Sequence, residues 1–286
     1  MLFKWNYKPP TTEEKQAADE LGAKLNISPI LAWLLMRRGI TTESAAKRFF
    51  HPQLADLINP FLMKDMDLAV DRLNDAMGRK ERILVYGDYD VDGCTAVALV
   101  YKFIQQFYSN IEYYIPDRYD EGYGVSKKGI DYAKEAGVKL IIILDCGIKA
   151  VEEVAYAKSL GIDFIICDHH MPDEELPPAV AVLNPKRADD SYPFKHLCGC
   201  GVGFKFMQAF AKNNGIPFAR TKALAKMLNA VEVVIPSCAQ IAAIWDFTSE
   251  SIRKVILVSM SAPPSMTIIV HIMCKVKRRI EASENY

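Results

Sequence analysis

No charge of one sign dominates this chain. Its 35 lysines and arginines are matched by 35 aspartates and glutamates over 286 residues, so it is not a polycation, and a basic surface for nucleic acid has to be local. No run of about 18 uninterrupted apolar residues occurs, and the opening MLFKWNYKPP lacks the apolar core of a signal peptide. Both absences predict a cytoplasmic protein with no membrane span. Cysteine is sparse and unpaired in its spacing: Cys94, Cys146, Cys167, Cys198, Cys200, Cys238 and Cys274 are odd in number and include no C-x-x-C. That argues against a disulfide framework or a cysteine-rich zinc site and for reduced, mostly buried thiols. The C-x-C of Cys198 and Cys200 stands among glycines in LCGCGVG, which suits a tight turn of small residues better than a metal. Repeats of solenoid length and low-complexity tracts are also absent. A chain that is 50% apolar and 24% charged remains, with the composition of a folded globular protein and length for one large or two smaller units.

Residues 1–80 read as a helical lead-in. TTEEKQAADELGAKL opens with an N-cap threonine and acids in its first turn, and ILAWLLMRRG ends on glycine after basic residues. DMDLAVDRLNDAMGRKE predicts a further helix with Leu68, Val70, Leu73 and Met77 near one face. From Arg82 the pattern changes. RILVYGD, IEYYIPD, KLIIILDCG and DFIICDHH are short β-branched runs, each closed by a carboxylate or a glycine turn. CTAVALVYKFIQQFY, SKKGIDYAKEAG and KAVEEVAYAKSLG between them have helix length and spacing. The alternation predicts an α/β domain over 81–228, a parallel sheet flanked by helices, with ligands bound beyond the C-terminal ends of the strands. Residues 229–286, with AQIAAIW, VILVSMSAPPSMTIIV and KVKRRI in succession, lose that order and stand apart as an atypical tail.

The first strand runs into Asp88, Asp90, Asp92 and Gly93 in GDYDVDG. Carboxylates at alternate positions repel one another unless a cation neutralises them, and hard oxygen ligands favour Mg²⁺ or Mn²⁺. The D-x-D-x-D-G opening matches an EF-hand loop, but its twelfth position is Leu99 instead of glutamate, so that reading fails. Asp145 ends the third run, and Asp168, His169 and His170 end the fourth. Three adjacent parallel strands converging would join these groups into a mixed nitrogen and oxygen metal site. Two divalent ions about 3.5–4 Å apart clamp the attacking and leaving oxygens of a phosphodiester. The acids after the first strand, and the lack of G-x-G-x-x-G, argue against a dinucleotide-binding site.

DYDVDG, IPDRYDEGYGVS, LDCGI, DHH, LNPK and LCGCGVGFKF resemble, in order, the successive motifs of RecJ-type exonucleases within the DHH phosphoesterase superfamily. The resemblance extends to about residue 226. It implies two Mn²⁺ or Mg²⁺ ions carried by Asp90, Asp92, Asp145 and His169, with His170 a ligand or phosphate contact and Asp88 beside them. It also implies 5′ to 3′ hydrolysis of single-stranded DNA in repair and recombination. A smaller DHH phosphodiesterase acting on short oligonucleotides or dinucleotides, and a binding protein without turnover, are the alternatives. Arg118 can pair with a phosphate and Tyr123 can stack on a base, although Glu121 and Tyr123 between glycines equally suit a loop-shaping role. In LCGCGVGFKF, Gly201 and its neighbours either offer backbone N–H groups to a phosphate, with charge added by Lys205, or serve helix packing. Asn184 and Pro185 read as a turn after an edge strand.

The pattern departs from the family after the glycine-rich turn. A further metal-ligand aspartate is expected near LNAVEVVIPSCAQIAAIW, where Glu232 is the nearest carboxylate and Asp246 is the only aspartate of the tail. The family's second catalytic domain and oligonucleotide-binding barrel have no counterpart in the sequence. These departures lead to the expectation of a foreign or out-of-frame tail and of weak activity or none.

Overall fold

A computed structural model of the chain describes residues 9–51, 56–117 and 119–217. Arg118, the tail 229–286, Glu232 and Asp246 lie outside the described residues. Two compact units divide after Leu57. The helix read at 65–81 packs on the sheet of the second unit, so that unit begins well before the 80/81 boundary drawn from the sequence.

The first unit holds α1 (Thr12–Leu25), α2 (Pro29–Met36) and α3 (Glu43–Phe50). The capping box expected at Thr11 is formed: its hydroxyl accepts from the Glu14 N–H at 3.2 Å, and Glu14 accepts from the Thr11 N–H at 2.9 Å. Ala18, Leu21 and Ala32 make the small core between α1 and α2.

The second unit runs α4 (Met66–Gly78), β1 (Arg82–Gly87), α5 (Val91–Gln105), β2 (Ile111–Tyr114), α6 (Lys127–Glu135), β3 (Val138–Leu144), α7 (Val151–Ser159), β4 (Asp163–Cys167), β5 (Ala181–Leu183) and α8 (Gly199–Asn213). Its sheet is parallel throughout, in the order β2-β1-β3-β4-β5. Alternation along the strands divides the core. Leu84, Tyr86, Ile141, Ile143, Phe164 and Ile166 face one side, where they meet Ile130 and Ala133 of α6 and Val154 and Ala157 of α7. The intervening residues face the layer of α4, α5 and α8. Both faces are covered, which is why the strands read as continuous apolar runs. Each fully buried Ile, Leu or Phe here stabilises the fold by about 1.5–3 kcal/mol.

α4 buries Met66, Ala69, Val70, Leu73 and Ala76, while Leu68 is 48% exposed. The inward stripe is therefore rotated from the one drawn through Leu68, because the face meeting β5 and α8 is set by Met66, Ala69 and Leu73. At the outer edge of β5, the Val182 N–H donates to Asp65 Oδ2 at 3.2 Å and the Val182 carbonyl accepts from Arg187 at 2.6 Å. Arg187 also pairs with Asp65 and Asp189. Among the described residues, no helix is long and apolar enough to cross a membrane.

The chain order reverses between β1 and β3: β1 is followed on one side by β2 and on the other by β3. In open parallel sheets a crevice forms beyond the strand ends at such a point. The acidic residues stand there.

Candidate metal centre

Every site residue lies within three residues of a strand's C-terminal end or in the cap and first turn of the helix that follows. Asp88 succeeds β1. Asp90 is the N-cap of α5, its Oδ1 accepting from the Gly93 N–H at 2.9 Å. Gly93 is required by close approach, since a Cβ there would lie 2.4 Å from the Asp88 carbonyl oxygen. Asp145 succeeds β3 and has φ 62, the left-handed region, at a cost on the order of 1 kcal/mol for a residue other than glycine. Its N–H donates to the Cys167 carbonyl at 2.9 Å, which fixes the bend against β4. Asp168, His169 and His170 follow β4.

These elements gather two groups of ligand atoms, each within 4.8 Å of one another: Asp88, Asp90 and Asp145, and Asp145, His169 and His170. Asp145 belongs to both. It is 2% exposed, and its Oδ1 accepts no hydrogen bond. His169 Nε2 lies 3.1 Å from that oxygen, a contact without hydrogen-bond alignment. Burial, then the negative charges of Asp92, Asp90, Asp168 and Asp88, push the Asp145 carboxyl far above the usual carboxylate range. Burial lowers His169, outweighing the attraction of Asp92, and so favours the neutral imidazole that serves as a ligand.

Asp168 orients the histidines. Although burial pushes its carboxyl up, the hydrogen bond from His170 and the backbone N–H groups of His170 and Ile148 hold it below the usual range. It accepts from His170 Nδ1 at 2.8 Å, from the His169 N–H at 2.6 Å and from the Ile148 N–H at 2.9 Å. The same bond to Asp168 raises His170. With Nδ1 so held, His170 presents Nε2, the arrangement by which outer carboxylates aim metal-ligating imidazoles.

Asp92 is buried and lies outside both groups. Its Oδ2 accepts from the Gly199 N–H at 2.8 Å and its Oδ1 from the Cys200 N–H at 2.7 Å, with His169 Nε2 3.7 Å from Oδ2. Desolvation raises its carboxyl despite those two bonds.

The leading N–H groups of the glycine-rich turn are bonded to Asp92, and the Gly201 N–H is bonded to Cys198 Sγ at 3.2 Å, so these donors are engaged within the protein. A Cβ at Gly199 would lie 2.2 Å from Asp145 Oδ1. Lys205 departs from its expected role. It is 2% exposed, and its ammonium donates to the Ile58 carbonyl and to Gln208 Oε1, each at 2.9 Å. Cys94, Cys146, Cys167 and Cys200 are buried free thiols as expected.

Tyr123 stands at the rim, 60% exposed. Its hydroxyl is 3.5 Å from His170 Nε2, and its ring meets those of Tyr89 and His170 edge-on. Glu121 shapes the loop beneath it, accepting from the Tyr114 hydroxyl and the Asp117 N–H, each at 2.9 Å, and from the Ser126 hydroxyl. Asn184 forms the turn after edge strand β5 and also donates from Nδ2 to the His170 carbonyl at 2.8 Å. Beyond the LNPK motif itself, nothing in the residue pattern points to this second bond.

An α/β sheet with carboxylates and imidazoles gathered at the strand ends of its switch point has the make-up of a candidate divalent-metal site. The family model for the DHH family, N-terminal domain, matches residues 82–231, and the chain belongs to the DHH family. It is 42% identical over 207 residues to the single-stranded-DNA-specific exonuclease RecJ of Bacillus subtilis (strain 168), covering 72% of this chain and 26% of that protein. It is 34% identical over 212 residues to RecJ of Escherichia coli (strain K12), covering 73% and 36%. The chain thus spans about a third or less of the length of these relatives. Among solved structures, RecJ in complex with Mn²⁺ from Thermus thermophilus superposes with a TM-score of 0.61 at 25% identity, over 76% of this chain and 30% of that one.

Proposed function

We propose that this chain carries the catalytic centre of a RecJ-type exonuclease, which hydrolyses phosphodiester bonds from the 5′ end of single-stranded DNA with Mn²⁺ or Mg²⁺. The observation that carries the reading is Asp145, one buried carboxylate shared by two ligand groups with an oxygen that accepts no hydrogen bond. A lone buried charge among four other aspartates is costly, and divalent cations offset that cost. The donor set of carboxylate oxygens and imidazole nitrogens fits Mn²⁺ and Mg²⁺. The relatives named as single-stranded-DNA-specific exonucleases, and the Mn²⁺ complex among the similar structures, support the same assignment.

Asp88, Asp90 and Asp145 would hold one ion, and Asp145, His169 and His170 the other. Asp92, whose two backbone bonds leave a lone pair on each oxygen, borders the second. Bound divalent ions supply charge neutralisation at the phosphate and activation of water. The chain's own residues do the placing. Asp168 and Asn184 fix His170, the Asp92 clip on α8 and the bend at Asp145 fix the shared carboxylate, and Tyr123 borders the opening where a terminal base could stack.

Digestion of 5′-labelled single-stranded DNA over a Mn²⁺ titration tests the proposal, with Asp145→Ala in parallel. The expected result is metal-dependent release of labelled mononucleotide that the variant abolishes. Folded, Mn²⁺-loaded protein that releases nothing would overturn it.

A further inference from the structure

The cations around the C-terminal ends of β4 and β5 are almost all spoken for. Lys149 pairs with Asp173 at 2.9 Å, Lys64 with Asp189 at 2.5 Å, Lys195 with Asp190 at 3.5 Å, and Arg187 with Asp65 and Asp189. Lys186 differs. Among the described residues its ammonium has no hydrogen-bond or carboxylate partner, although the side chain is partly buried. It is also tied to the metal-ligand histidines through the backbone. The Asn184 side chain accepts from the Lys186 N–H at 2.8 Å on Oδ1 and donates to the His170 carbonyl at 2.8 Å from Nδ2. Asn184 is 0% exposed, so this bridge is shielded from water and holds the two segments in register.

A cation on the segment that Asn184 ties to the metal-ligand histidines, yet matched to no carboxylate among the described residues, is placed for an anion that arrives from outside. Resting on the phosphodiester reading of the site, we infer that Lys186 is a phosphate-binding residue on the histidine side of the metal centre, positioned by Asn184, and that its ligand is a nucleotide phosphate. Lysine acts there as a point charge, without the fixed fork of an arginine.

The test is calorimetric binding of thymidine 5′-monophosphate and of inorganic phosphate to the whole chain loaded with Mn²⁺. Wild type, Lys186→Ala and Lys186→Arg are compared, and Mn²⁺ binding is measured separately. Lys186→Ala should weaken both phosphate ligands about tenfold, the loss of one charge-assisted bond at a partly buried position. Mn²⁺ affinity should stay at the wild-type level, and Lys186→Arg should recover most of the loss. Unchanged phosphate binding in Lys186→Ala overturns the inference, and so does an equal loss of Mn²⁺ affinity, which would make the residue part of the metal site's architecture. A wild type that binds both ligands through Lys186 but releases no nucleotide from DNA would sink the exonuclease reading while leaving the phosphate site standing.

Discussion

Gly199 admits no side chain without moving the shared carboxylate. A Cβ built there falls 2.2 Å from Asp145 Oδ1 and 2.5 Å from its Cβ and Cγ, more than 1 Å inside ordinary contact. Asp145 has little freedom to retreat, because its backbone is pinned in the left-handed region by the bond from its N–H to the Cys167 carbonyl. Relieving such an overlap costs about 1–3 kcal/mol. Since the group displaced serves both ligand sets, the cost falls on metal binding, where it amounts to a loss of roughly 5-fold to 150-fold. Stability of the fold moves less, because alanine is favoured over glycine within a helix by about 1 kcal/mol and offsets part of the strain. Gly201→Ala is the control. It lies in the same first turn, but its nearest neighbour is Leu197 Cδ2 at 3.3 Å. Titration with Mn²⁺, following the electron paramagnetic resonance of the free ion, should show weak binding by Gly199→Ala and near wild-type binding by Gly201→Ala, with both proteins folded by circular dichroism. A folded Gly199→Ala that binds Mn²⁺ like wild type would refute the steric argument, as would an equal loss in both variants.

Two further variants probe buried charge. Asp145→Asn keeps shape and tolerates a positive φ while removing a carboxyl that burial and four aspartates force to take up a proton on folding at neutral pH, so in chelator it should melt a few degrees higher than wild type. The rise in melting temperature that Mn²⁺ gives wild type should vanish; a lower melting point in chelator would contradict the repulsion argument. Lys205→Met addresses the ammonium whose pKa burial lowers from 10.5 to about 8. The unfolded chain binds that proton more readily than the folded one between those values. Wild-type stability therefore carries a penalty that is full below about pH 8 and fades as pH rises towards 10.5, on the order of 3 kcal/mol in total. Urea denaturation at pH 7, 8.5 and 10 should show this rise in wild type and its loss in Lys205→Met; parallel profiles would refute it.

The strands and the site at their ends were legible because burial on both faces writes β-branched runs, and because cationic sites demand carboxylates where those runs stop. The lead-in helices were legible through their caps, with Thr11 and Glu14 reciprocally bonded. Other features depend on partners far along the chain. Asp92 looks like its neighbours in GDYDVDG until α8 brings the N–H groups of Gly199 and Cys200 onto it from 107 and 108 residues away. That approach engages the two leading donors of the glycine turn, which no local pattern foretells. Lys205 carries the same charge in any sequence reading, and only the packing of α8 places its ammonium under the Ile58 carbonyl. Leu68 and Met66 are equally apolar, so composition alone could not say which one faces the sheet. β5, three residues long, is too short to show an alternation.

The bonds on Val182 bear on how this sheet meets other chains. A parallel sheet ends in a row of unused amide groups that invites a stranger's strand, and slow-folding parallel sheets are exposed to that hazard for longest. At the β5 margin, Asp65 and Arg187 occupy the outward N–H and carbonyl of the middle residue, so an incoming strand would have to break a buried ion pair before its first hydrogen bond could form. At Val182 that margin is closed to sheet extension.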